Sequence, residues 1–138
     1  MSFAPYLTFT GGTCRAAMTF YAEVFGATDL QLMAFSEMPP EAGPTGINPA
    51  YIMHSQFSAG PGAPLLASDT PEGWPSPGSN LTVFHAAADV DRAAVIFNAL
   101  ATGGSITMPL APTFWAPTFG MLTDKFGTAW MITVAPAA

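Results

Sequence analysis

The chain has 138 residues and a mass of 14.3 kDa, a length that suits one domain (1–138) with a real core and not two independent ones. Half of its residues are hydrophobic and only 9% are charged, where a typical soluble domain carries roughly 25%, so disorder is excluded and a surface partly covered by a second copy is expected. With 3 basic against 9 acidic residues the formal charge is -6, the wrong sign for a protein that tracks nucleic-acid phosphates.

In chain order, alternation predicts a first strand from Tyr6 to Phe9. Thr13 then stands where it can cap a short amphipathic helix. In that helix Ala17, Phe20 and Val24 keep the three-and-four spacing of one buried face, and Gly26 permits a left-handed stop. Strands follow from Leu30 to Phe35, Tyr51 to Phe57 and Pro64 to Ser68, with a Pro- and Gly-rich loop from Pro39 to Pro49 inside this first module. A second such loop, Pro71 to Gly78, separates the halves. The next strand is Leu81 to Ala86. Asp89 caps a helix whose buried face is Val90, Ala94, Phe97 and Ala101, and Gly103 ends it. Strands over Ser105 to Met108, Trp115 to Leu122 and Ala129 to Val134 complete the chain, the last two joined by a turn at Asp124 to Gly127. The order strand, helix, three strands occurs twice, in modules of about 1–70 and 79–138.

An internal echo supports that division. Arg15, Ala16, Ala17, Phe20, Ala22 and Gly26 recur at a constant spacing of 77 residues as Arg92, Ala93, Ala94, Phe97, Ala99 and Gly103, and these are the only two arginines in the chain. Alternation also assigns faces. Leu7 and Phe9, Leu81 and Val83, and Trp130 and Ile132 belong to the side covered by helices. Tyr6 and Thr8, Thr82 and Phe84, and Met131 and Thr133 fall on the other side, where hydroxyls, a phenol, an aromatic ring and a thioether suit a small, mostly apolar ligand.

The repeated pattern, with Phe20, Tyr21, Val24, Phe25 and Gly26 in the first helix, resembles the vicinal oxygen chelate superfamily of glyoxalases, bleomycin-resistance proteins and extradiol dioxygenases. Thr113 to Ala116, Phe119, Gly120, Thr123 to Gly127 and Trp130 to Ile132 resemble its PhnB-like branch, with further matches at Pro5 to Leu7 and at Ser68 and Asp69. The resemblance implies an α+β fold of two βαβββ modules whose sheets curl around a cleft, completed in a homodimer. In such enzymes one divalent metal is held by His and Glu from the first and last strands of each module. The matching positions here are Tyr6 or Thr8, Ser68 or a neighbour, Thr82 and Met131, which are not usual ligands for a transition metal. No metal or other cofactor is therefore expected, and Asp69 and His85 are the nearest approach to ligands. PhnB-like relatives have been described as demethylubiquinone methyltransferases. Neither Gly11 and Gly12 nor Gly103 and Gly104 extends into the GxGxxG turn of a nucleotide-type site.

Other chemistry-bearing residues have plain explanations. Cys14 sits in the first helical turn beside Arg15, where a thiol can be activated, but no His is near in sequence to act as base, so it reads as a small, half-buried side chain. His54 and His85 read as hydrogen-bonded or surface histidines, and Asp124 and Lys125 as solvated or mutually paired turn charges. Glu37 and Glu41 lie in a loop long enough to cover the cleft. Phe114, Trp115, Phe119 and Trp130 form an aromatic cluster, of which Trp115 is the member expected to meet a ligand or a partner subunit.

The reading that follows is a cytoplasmic homodimer that binds a small apolar or aromatic molecule through Tyr6, Thr8, Ser68, Thr82, Phe84, Trp115, Phe119 and Met131, with no catalytic residue assigned. The alternative is a metal-dependent lyase, isomerase or dioxygenase using Asp69, His85 and Glu37. The single cysteine cannot form an intrachain disulfide, and no segment has the pattern of a signal peptide or membrane span.

Overall fold

The computed structural model describes residues 3–39, 46–75 and 80–134. Glu41 and parts of both Pro- and Gly-rich loops lie outside the described residues. The chain divides into two compact units, Met1–Gly78 and Ser79–Ala138.

In the first unit, β1 (Tyr6–Phe9) leads through a glycine turn into α1 (Cys14–Phe25), followed by β2 (Gln31–Ala34), one 3-10 turn (Phe35–Glu37), β3 (Ile52–Phe57) and β4 (Leu65–Asp69). The sheet order is β1-β4-β3-β2, with β1 parallel to β4 and the other pairs antiparallel. The second unit repeats the plan as β5 (Val83–Ala87), α2 (Val90–Ala101), β6 (Ser105–Ala111), β7 (Phe119–Thr123) and β8 (Ala129–Val134), in the order β5-β8-β7-β6. The fold is α+β, with two four-stranded βαβββ sheets, neither closed into a barrel.

Each helix covers one face of its own sheet. Phe9, Leu65, Ala67 and Phe57 are buried on the α1 side, as are Trp130, Ile132 and Leu122 on the α2 side, because alternate residues of each strand point to the same face. The buried stripes of the helices differ from the expected ones by about one position. In α1 they are Cys14, Ala17, Met18, Tyr21 and Ala22, leaving Phe20 and Val24 half-buried. In α2 they are Ala93, Ile96, Phe97 and Leu100, and Val90 is exposed. Alanine is so frequent in both helices that two neighbouring stripes look equally apolar in sequence. The helices open at Cys14 and Val90, so Arg15 and Arg92 stand at the second and third helical positions, and the spacing of 77 does not superpose buried on buried residues.

The helix entries also differ. Asp89 accepts from the Arg92 N–H at 2.7 Å, as expected of a cap. Thr13 does not cap α1: its hydroxyl donates to the Thr10 carbonyl, and the Cys14 N–H donates instead to the Asp69 carboxylate at 2.9 Å. Gly26 ends α1 in the left-handed conformation at φ 70°.

Two strands depart from expectation beside prolines. β6 runs past Pro109 to Ala111, because it is the edge of its sheet and a missing N–H can face outward there. Its register with β7 shifts on either side of Met108. Residues 115–118 are not strand: Thr113 closes a turn with Ala116 through N–H and hydroxyl bonds, and Pro117 has no donor to give a ladder. Trp115 therefore sits on a turn.

Candidate functional site: the open sheet faces

The face of each sheet away from its helix carries the predicted residues, and the two faces differ in chemistry. In the first unit, register aligns Tyr6, Leu66, Gln56 and Gln31 across the four strands, and pairs Thr8 with Ser68 and Met33 with His54. Tyr6 and Met33 are exposed. The Tyr6 hydroxyl lies 3.1 Å from His54 Nδ1, and His54 Nε2 lies 3.1 Å from Gln56 Oε1. The Tyr6 and His54 rings are tilted 39° with centroids 5.7 Å apart. Tyr6, Thr8 and Ser68 thus share one polar face, and His54 and Gln56 join them. His54 is the hydrogen-bonded histidine that the sequence suggests, and strand alternation carries the signal that it and Gln56 share this face, since residues at even spacing on the third strand follow the same parity.

In the second unit the corresponding row is apolar. Phe84, Met131, Met121 and Met108 are register partners in turn across β5, β8, β7 and β6. In the next row Phe119 stands opposite Thr133, whose hydroxyl donates to the Thr118 carbonyl at 2.9 Å. Trp115 meets Phe119 edge-on at 5.5 Å between centroids, and Phe114 meets Trp115 edge-on at 4.8 Å. Trp115 is 57% exposed and Phe84 61%, large apolar surfaces for a face with no charged residue in its strands. Met121 and Met108 are the residues that the sequence reading missed. Thr82 stands before β5, exposed and outside the ladder, so it does not join this row.

Neither Asp69 nor His85 faces these surfaces as a ligand would. Asp69 is buried, with Oδ1 accepting from the Cys14 N–H and Oδ2 from the Ile52 N–H at 2.8 Å. Its role is to tie α1, β3 and β4 together. His85 pairs with Ile132 on the α2 side of its sheet, where burial and the Arg92 guanidinium push the imidazole pKa down. Glu37 is likewise engaged, accepting from the Ala34 N–H at 2.7 Å. Among the described residues, the positions matched to the superfamily's metal ligands carry Tyr6 or Thr8, Ser68, Thr82 and Met131, which do not fit a divalent metal.

Cys14 is the inert side chain that the sequence suggests, though fully rather than half buried: it lies beside Ser55 and its thiol pKa is pushed up to about 11, chiefly by burial. The turn charge is different. Asp124 is buried rather than solvated: Oδ1 accepts from the Phe126 and Thr128 N–H groups and Oδ2 from the Trp130 indole at 2.9 Å. It fixes the last hairpin to the core. A separate cavity of about 440 Å³ is lined by Gly46, Ile47, Asn48, Tyr51 and Glu72, none of them a predicted site residue. There the Tyr51 hydroxyl donates to Glu72 at 2.9 Å, a bond that pushes the phenol pKa up.

Paired βαβββ units of this order are the glyoxalase/bleomycin resistance/dioxygenase fold. A domain so described from Frankia sp. EAN1pec matches with a TM-score of 0.63 at 14% identity, covering 99% of this chain and 98% of its own. The model of the 3-demethylubiquinone-9 3-methyltransferase family matches residues 1–133, and the chain belongs to that family, the PhnB-like branch. Protein YjdN of Escherichia coli K12 is 34% identical over 142 residues, covering 97% of this chain and 95% of its own length. The crystal structure of protein PA1353 from Pseudomonas aeruginosa matches with a TM-score of 0.85 at 38% identity, covering 97% of each chain. The family description names a methyl transfer. In this chain the Gly11–Gly12 turn delivers α1 onto the Asp69 carboxylate, so an anionic side chain already occupies the helix entry that a nucleotide-type donor uses in other folds.

Proposed function

We propose that the protein is a small-molecule-binding member of the superfamily, taking a small, largely apolar or aromatic molecule on an open sheet face and working without the usual divalent metal. The row Phe84, Met131, Met121 and Met108 carries this reading, together with the Trp115–Phe119 edge contact. Three thioethers and a phenyl ring in one line make a polarizable, adaptable surface that suits flat apolar ligands of varied outline. The engaged carboxylates of Asp69 and Glu37 support a metal-free site. The low charge content and the exposed Phe114, Trp115 and Leu81 support a homodimer, and the lone cysteine supports the cytoplasm.

Equilibrium dialysis with 1-naphthol tests the reading. Saturable binding of a stoichiometric amount per chain, unchanged after treatment with EDTA and weakened about tenfold or more by Met131→Glu with the circular dichroism spectrum retained, is the expected result. Binding that is lost with EDTA, or that is indifferent to Met131→Glu, contradicts it.

A further inference from the structure

The hydrogen-bond row on the first sheet fixes where its protons lie. An amide oxygen only accepts, so His54 Nε2, 3.1 Å from Gln56 Oε1, is the nitrogen that carries hydrogen in the neutral ring. His54 Nδ1 then presents a bare lone pair, and the Tyr6 hydroxyl, 3.1 Å away, donates to it. The phenol hydrogen is thereby turned along the sheet toward His54, and the oxygen's lone pairs are left for a molecule above the face. Tyr6 is 43% exposed, Leu66 stands between Tyr6 and Gln56 in the same row, and Thr8 and Ser68 are register partners on the adjoining strands.

We propose that Tyr6, oriented by His54 and Gln56, selects the ligand by accepting a hydrogen bond from its hydroxyl, which makes hydroxyl-bearing aromatic molecules of the phenol class the preferred ligands of this face. The proposal rests on the small-molecule reading above and adds the group that discriminates. A ligand ether or carbonyl oxygen has no hydrogen to give Tyr6, and pairing with it requires the Tyr6–His54 bond to break. A ligand hydroxyl pairs with the row intact. His54 and Gln56 are positioning residues, and Tyr6 is the contact.

Two measurements on the full chain test this, both at pH 8. Nitrogen-15 NMR without ligand is expected to show His54 protonated on Nε2, with Tyr6→Phe shifting the Nδ1 resonance and leaving Nε2 in place. Titration with phenol and with anisole is expected to show phenol preferred by about fivefold, the ratio that one ordinary hydrogen bond supports. That preference falls below about twofold in Tyr6→Phe and in His54→Ala, the second because a freed Tyr6 hydroxyl can then donate to the ether. A His54 protonated on Nδ1, or equal binding of both probes to the unmodified protein, overturns the proposal alone. Failure of both probes to bind overturns the small-molecule reading and the proposal with it, and binding of anisole in preference to phenol overturns the proposal alone.

Discussion

Asp69 and Asp124 show how a carboxylate's surroundings decide its role. Each is buried and each accepts from more than one donor, so their charge is matched by hydrogen bonds within the core. Asp69→Ala leaves the Cys14 and Ile52 N–H groups without their acceptor and is expected to cost about 2–4 kcal/mol in urea denaturation. A loss under about 0.5 kcal/mol contradicts the tie described here. Cys14 gives a pH dependence of definite sign. Its folded pKa of about 11 lies above the ordinary 9.0, so the native state holds its proton longer than the unfolded chain. The stability this contributes is whole below about pH 9 and declines by about 1.4 kcal/mol per unit as pH rises toward 11. The difference in unfolding free energy between the unmodified protein and Cys14→Ala, followed from pH 8 to 10.5, is expected to shrink accordingly. A difference that stays constant contradicts the buried thiol.

At the scale of elements, β7 depends on an absent side chain. A Cβ at Gly120 meets Phe97 Cε2 at 2.8 Å and the Leu110 backbone nitrogen at 3.1 Å, so α2 lies against β7 only because the strand has no side chain there. Gly120→Ala is expected to destabilise the fold by about 1–3 kcal/mol, read from its thermal midpoint. An unchanged midpoint shows that α2 has room to move. The strands are the legible elements: Tyr6–Phe9 and Ala129–Val134 begin and end where alternation puts them, although Thr133, on the open face, is buried through its bond to Thr118. Helix faces were less so, because Ala-rich helices offer adjacent stripes of nearly equal hydrophobicity. Trp115 was misplaced because its turn depends on a Thr113 hydroxyl bond that no apolar pattern reveals. In the candidate site, parity puts Phe84, Met131, Tyr6 and Thr8 on the faces where the structure has them, Ser68 comes in only through the family resemblance, and Gln56, Met108 and Met121 escape both. Nothing in strand parity says which four residues stand abreast. That needs the register.

For the whole molecule, two units of one topology carry opposite chemistry, a hydrogen-bonded row on the first sheet and a thioether and aromatic row on the second. Repetition supplies the architecture, and the side chains on each open face supply the difference in chemistry. The exposed Phe114 and Trp115 beside the second row are also the surface that a second copy would cover. Sedimentation is expected to give a dimer for the unmodified chain and a monomer for Phe114→Glu, and a dimer in both removes this patch from the interface. The most direct test of the binding reading uses methyl NMR with carbon-13 in the methionine Cε groups. On adding 1-naphthol, Met108, Met121 and Met131 are expected to shift together and to saturate at a common concentration, while Met18, buried under α1, stays fixed. Shifts spread over all methionines, or none along the row, would contradict the account.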